Sequence, residues 1–223
     1  MTMNVTEALT ARYSCRGFTT EPVTRAQIEA VVAAASRAPS WANTQPWEVV
    51  VAAGETLERI RRSYLQRGQE GIERALDIAA PASWPEAHKA RIAELMQVRT
   101  GLLGIDPNDA DARRRLMQRN FSLFGAPVVA WLCMDKALSP WSLFDLGSFA
   151  QSLMLAAAAA GLQSVPAVML AAYPDVLRKE LGVSDTLAIA IGIALGHADP
   201  EEPLNRLRSP RRPLGEILTV RGL

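Results

Sequence analysis

The chain has 223 residues, 49% of them hydrophobic and 21% charged, with 24 Lys plus Arg against 23 Asp plus Glu for a formal charge of +1. That length buries a sizeable core without disulfides or metals, and the composition excludes wholesale disorder. The charge balance gives no global support to nucleic-acid binding, and two isolated cysteines (Cys15, Cys133) with two histidines (His88, His197) make neither a disulfide framework nor a His/Cys metal site.

The first residues, MTMNVTEALTARYS, lack the basic and apolar regions of a signal peptide. With so few cysteines, a reduced, cytoplasmic setting is expected. The pattern predicts a helix over Val5 to Ala11, ending in Arg12-Tyr13-Ser14-Cys15-Arg16. Two guanidiniums around a hydroxyl suit a phosphate or another anion; the same residues also suit a solvated surface. A second helix is expected over Thr24 to Arg37, capped by Thr24, with Ile28, Val31, Val32 and Ala35 at helical spacing. The stretch Ala38-Pro39-Ser40-Trp41-Ala42-Asn43-Thr44-Gln45-Pro46-Trp47 then offers neutral donors and acceptors on a segment stiffened by two prolines. Its composition alone reads as a polar connecting loop.

Trp47 to Ala53 is β-branched and reads as a buried strand, followed by a helical stretch from about Glu55 to Ala79. Residues 80–111, with Pro81, Pro85 and Pro107, read as an excursion outside the core that carries Trp84 and a helical Glu86 to Met96. Ala126 to Met134 is a second buried strand. Leu143 to Gly161 reads as a core helix closed by a glycine. A membrane span fits the apolar stretch Leu143 to Leu162 poorly: Asp145, Ser148, Gln151 and Ser152 interrupt it, and its unbroken part is about half of the ~20 residues a bilayer needs. A short strand over Ser164 to Val168, a helix from Pro174 to Leu181 stopped by Gly182, and a third buried strand over Leu187 to Leu195 follow. The tail Leu204 to Pro213 holds Arg206, Arg208, Arg211 and Arg212, which read as a nucleic-acid patch, a second half of a phosphate clamp, or a solvated tail. Glu216 to Val220 is a candidate edge or exchanged strand. No repeat or Gly/Ser linker divides the chain, so one domain of class α+β or α/β is expected.

Taken together, the ordered strings R-Y-S-C-R-G-F, A-P-S-W-A-N-T-Q-P-W, F-G-A-P-V-V, D-L-G-S-F-A-Q-S-L-M-L, G-H-A-D-P and R-S-P-R-R-P-L-G-E-I resemble the FMN-dependent nitroreductase family from Arg12 to about Val220. The resemblance implies an α+β fold with a central mixed sheet flanked by helices, in a homodimer whose C-terminal extension crosses onto the partner. It implies FMN as cofactor, NADH or NADPH as electron donor, and ping-pong hydride transfer to electron-poor acceptors such as nitroaromatics or quinones. Arg12, Tyr13 and Ser14 then belong to the phosphate and ribityl clamp, with Arg211 and more loosely Arg208 completing it. Arg16 takes the place of a basic residue near the pyrimidine end of the flavin, where reduction leaves negative charge. Pro39, Ser40, Trp41, Asn43 and Gln45 reach the flavin of the partner subunit. Pro166, Ala167, Val168 and Met169 form the loop near flavin N5; many members have a Glu-Gly pair where this chain has Val168-Met169, and a backbone N–H serves in either case. No catalytic side chain, metal, membrane or nucleic acid is implied. Two rivals keep the scaffold or the ligand but change the role: another flavin chemistry (dehalogenation, ene reduction, flavin breakdown), or a non-enzymatic flavin-binding protein.

Overall fold

A computed structural model describes residues 3–106 and 108–223; Pro107, a residue of the expected excursion, lies outside them. Helix α1 (Val5–Ala11) starts at Asn4, whose side chain accepts from Glu7 N while Glu7 returns the bond to Asn4 N. Thr24 and Gln27 cap α2 (Arg25–Ala35) in the same reciprocal way. The chain then makes a 3-10 turn at Trp41–Asn43, enters β1 (Glu48–Ala53), and continues into α3 (Gly54–Glu70). The expected helix to Ala79 stops early at Gly71, which takes φ 70°, a left-handed value that glycine adopts without a Cβ penalty.

The excursion carries α4 (Glu86–Leu102), longer than the expected Glu86 to Met96 and with only Thr100 buried. Helix α5 (Ala110–Phe121), not anticipated from the sequence, returns the chain to the core through Leu116 and Phe121. Strand β2 (Val128–Asp135) and the core helix α6 (Trp141–Ala159) follow, then β3 (Gln163–Ala167), α7 (Pro174–Leu181) and β4 (Leu187–Gly196).

The strands lie in the order β1-β2-β4-β3, and every ladder is antiparallel. The expected mixed sheet is therefore corrected: among the described residues the parallel pairing is a single bridge between Ser14 and Ser164, where the Arg12–Gly17 segment runs along the outer edge of β3. No edge strand forms at Glu216 to Val220: the tail makes a 3-10 turn at Leu214–Glu216 and pairs with no strand among the described residues of its own chain. Its β-branched residues favour extended backbone, but that preference yields a strand only where an edge accepts it.

Strand β2 is buried along Val128–Met134, and its alternation divides the core. Val129, Trp131 and Cys133 face Leu57, Ile60 and Tyr64 of α3 together with Val176 and Leu177 of α7. Val128, Ala130, Leu132 and Met134 face Val31 and Ala35 of α2 and Leu146, Phe149, Leu153 and Ala157 of α6. Both faces of the sheet are thus covered, which is why its central strands read as continuous apolar runs. Helix α6 is long and apolar enough to cross a bilayer by composition, yet these side chains pack it into the core.

Candidate active site

The end of α1 delivers Arg12, Tyr13, Ser14 and Arg16 into one cleft of about 250 Å³ whose opposite wall is Leu207, Arg208, Ser209 and Arg211 of the tail. The N-terminal cluster and the tail therefore meet. Backbone N–H of Cys15 donates to Ser164 O at 3.0 Å, tying the segment to β3. Asn205, buried, ties it to the tail: its Oδ1 accepts from Arg16 N at 2.7 Å, and its Nδ2 donates to Gly17 O at 2.8 Å and Asp199 O at 2.9 Å. Arg119 of α5 donates to Arg16 O at 3.1 Å and pairs with Glu202. Gly17 is required here, because a Cβ would stand 2.6 Å from Glu202 Cγ.

None of the described residues lining this cleft is acidic. Burial and then the nearby Arg211 charge push the Arg12 guanidinium below its ordinary pKa. Burial pushes the Arg16 guanidinium down to about 10, with Arg99 of α4 and Arg119 adding like charge; it stays cationic at neutral pH. Arg208 lies over the Tyr13 ring at 3.9 Å and donates to Asn205 O at 2.8 Å, so it fixes the tail against the N-terminal wall. Like charges gathered without a lining carboxylate favour an anion between them. Beside the Ser14 bridge, Ser164 Oγ is buried without a protein partner. Cationic donors, the hydroxyls of Ser14 and Ser209 and an aromatic ring suit a phosphate ester of a polyol.

The loop after β3 begins at Pro166 and Ala167 and turns through a 3-10 segment, Val168–Ala171. Its anchor is Leu170 O, which accepts from Trp131 Nε1 at 2.7 Å and Tyr64 Oη at 2.8 Å inside the core. Leu170 is thereby held in, while Val168 stays 49% exposed and Met169 half-buried with Arg74 at its sulfur.

The Pro39–Gln45 string does not line the anion cleft. Pro39, Ser40 and Trp41 instead share a cleft of about 380 Å³ with Trp141, Phe144 and Asp145 of α6. Trp41 N donates to buried Asp145 Oδ2 at 3.1 Å, Ser40 Oγ accepts from Gln45 N at 3.0 Å, and the Trp41 and Trp141 rings meet edge to face at 6.0 Å. Ala42, Asn43 and Gln45 all take positive φ (51°, 58° and 47°). For side chains with a Cβ this costs roughly 1–2 kcal/mol each, and such strain gathers at functional segments. Trp41, Trp141 and Phe144 are nevertheless 63%, 65% and 73% exposed in the single chain.

Sequence reading singles out none of Asn205, Arg99 and Glu202 as site residues. Asn205 and Glu202 carry no local pattern; only the fold makes them a clamp. Asp145 did carry a signal, as a lone carboxylate in an apolar helix that must find a donor.

The model of the nitroreductase family matches residues 9–197. The chain is 33% identical over 215 residues to nitrobenzene nitroreductase of Ectopseudomonas oleovorans, covering 93% of this chain and 92% of that protein. It is 32% identical over 212 residues to 4-nitrobenzoate reductase of Pseudomonas putida, covering 90% and 88%. Among solved structures, the FMN- and NADPH-dependent nitroreductase NfnB from sphigopyxis sp. strain HMH superposes with a TM-score of 0.94 at 34% identity, over 99% of this chain and 100% of that one. The FMN-dependent nitroreductase NfnB from Mycobacterium smegmatis, in complex with NADPH, gives 0.91 at 30% identity over 96% of each chain.

Proposed function

The chain belongs to the nitroreductase family, and from that premise we propose that it passes electrons from NADPH or NADH to nitroaromatic or quinone acceptors by a ping-pong scheme in which donor and acceptor use one cleft in turn. It is a flavin oxidoreductase with FMN as cofactor and NADPH as donor. The observation that carries the site assignment is the acid-free cleft joining Arg12, Ser14 and Arg16 to Arg208, Ser209 and Arg211. Its donor set fits the terminal phosphate and polyol chain of FMN.

Bound FMN supplies two-electron chemistry that protein side chains lack. The chain does the rest. Arg12 and Arg211 neutralise the phosphate; Ser14 and Ser209 donate to it or to the ribityl hydroxyls. Arg16, cationic up to about pH 10, would hold positive charge at the pyrimidine end of bound FMN and so stabilise negative charge there. The Pro166–Met169 loop offers backbone N–H groups to the ring edge, and its rigidity comes from the Leu170 anchor. No side chain is assigned a proton transfer, since an open cleft lets water supply protons. The Pro39–Gln45 string, turned away from its own chain's cleft, completes the site of a second copy. The whole chain thus acts as one FMN-binding domain within a homodimer. Two buried free thiols accord with a reducing cytoplasmic location.

Anaerobic mixing tests the reading. The purified protein is expected to be yellow, to bleach on adding NADPH, and to regain colour when a nitroarene or quinone follows after the oxidised nucleotide is removed. Colourless protein that takes up no FMN, or flavin that neither nucleotide bleaches, overturns it.

A further inference from the structure

Between α4 and the tail lies a second groove of about 600 Å³ that the reading above leaves without a role. Sites for small molecules fall within about 300–1,000 Å³. One wall is Trp84, His88 and Arg91; the other is Ser209, Arg211 and Arg212. The Trp84 and His88 rings stack with centroids 6.3 Å apart and planes 25° apart, giving a broad aromatic face. Trp84 is 47% exposed, free to meet a planar ligand. Arg91, Arg211 and Arg212 stand against two carboxylates, Glu94 and Glu216, at the same groove. Arg212 Nη1 reaches Glu216 O at 3.4 Å. Ser209 and Arg211 also line the anion cleft, so the two sites are continuous.

An aromatic platform beside guanidiniums recognises a nucleobase carrying phosphate. The chain has no G-x-G-x-x-G string and hence no separate dinucleotide-binding unit. A dinucleotide donor held by its nicotinamide alone would leave its other half in solvent. We propose that this groove holds the adenosine half of the donor, with Trp84 and His88 against the adenine and Arg91 and Arg212 on a ribose 2′-phosphate, so that it selects NADPH over NADH. The assignment rests on the oxidoreductase reading and deepens it: donor preference resides in the excursion, on a helix whose outer face is otherwise unemployed.

The test uses FMN-loaded protein and isothermal titration with adenosine 2′,5′-bisphosphate, adenosine 5′-monophosphate and inorganic phosphate. The bisphosphate is expected to bind at least tenfold more tightly than the monophosphate and than inorganic phosphate. Arg91→Ala with Arg212→Ala should abolish that preference, and Trp84→Ala should weaken both nucleotides while Trp84→Phe restores most of the affinity. Arg113→Ala with Arg114→Ala, the same loss of charge on α5 away from the groove, should leave the preference in place. In steady state the double arginine variant should raise the KM for NADPH at least tenfold and that for NADH less than threefold. Equal binding of the two nucleotides, tight binding of inorganic phosphate alone, or an unchanged NADPH/NADH ratio in the double variant overturns the groove assignment. If neither nucleotide reduces the flavin, the oxidoreductase reading fails instead; reduction by both without nucleotide preference defeats the groove alone.

Discussion

Arg12 and Arg211 illustrate what a single charge does at this site. Burial and the nearby Arg211 charge lower the Arg12 pKa, so the Arg12 guanidinium is destabilised where it stands until an anion lies beside it. A phosphate ester reverses that balance. Arg12→Ala and Arg211→Ala should each weaken FMN binding to apoprotein by about 1–3 kcal/mol, the scale of one charge-assisted bond. Riboflavin, which lacks the phosphate, should bind the variants as it binds the parent; equal losses for both ligands would remove the phosphate assignment. The two cysteines give a contrasting case. Burial pushes both thiols up to about 11, and the thiolate is the reactive form. Below about pH 10 both should therefore resist a thiol-specific chromogenic reagent in the folded protein, and both should react once it is denatured. Rapid labelling of the folded protein at pH 8 would contradict the burial of Cys15 and Cys133.

Among the elements, the loop after β3 depends on packing more than on its own residues. Gly192 of β4 leaves room for it: a Cβ there would lie 2.4 Å from Leu170 Cβ and 3.2 Å from Trp131 Nε1. Gly192→Ala should cost about 1–3 kcal/mol of stability by overpacking and should perturb the flavin spectrum, both read in a urea titration of the holoprotein. Tyr64→Phe removes one of two donors to Leu170 O and the acceptor of buried Tyr173 N, so it should cost about 1–3 kcal/mol and leave the spectrum unchanged. The same level shows what sequence can reveal. Helix α2 was legible from Thr24 and the spacing of Ile28, Val31 and Val32; α7 from Pro174 and Gly182; β2 from an unbroken apolar run. Helix α5 escaped because its sequence is dense in arginine and buries only Ala112, Leu116 and Phe121; its start is set locally by Asp109, which accepts from Asp111 N and Ala112 N. In the anion cleft, composition left the Arg12–Arg16 cluster and the arginine tail as two ambiguous basic patches. Their meeting is a long-range event, enforced by Asn205; composition offered it as one of three readings of the tail, and the order of whole motifs favoured it.

For the molecule as a whole, one chain leaves three surfaces unfinished. Strand β1 is an edge of the sheet with Val51 exposed, and an unpaired edge invites another strand. The tail presents Leu214, Ile217, Leu218 and Val220 to solvent, yet has no strand partner in its own chain. The strained Pro39–Gln45 string, with Trp41, Trp141 and Phe144 exposed beside it, lies outside the cleft that holds the arginines. The proposed two-fold dimer would satisfy all three: each tail would cover the partner's β1 edge, and each string would meet the partner's cleft. Apolar area of this kind is typical of obligate interfaces. Two equivalent sites then each need residues from both chains, which makes the arrangement testable by complementation. Ser40→Ala with Asn43→Ala should disable what a chain lends; Arg12→Ala with Arg211→Ala should disable what it keeps. Each double variant alone should be inactive. A mixed dimer holds one site with both defects and one with neither, so co-refolded mixtures should regain about half of the parent activity per mixed dimer. Sedimentation should find activity only in the dimer fraction. A mixture as inactive as its parents, or an active monomer, would show that one chain builds its site alone, and the exposed string and tail would then need another partner.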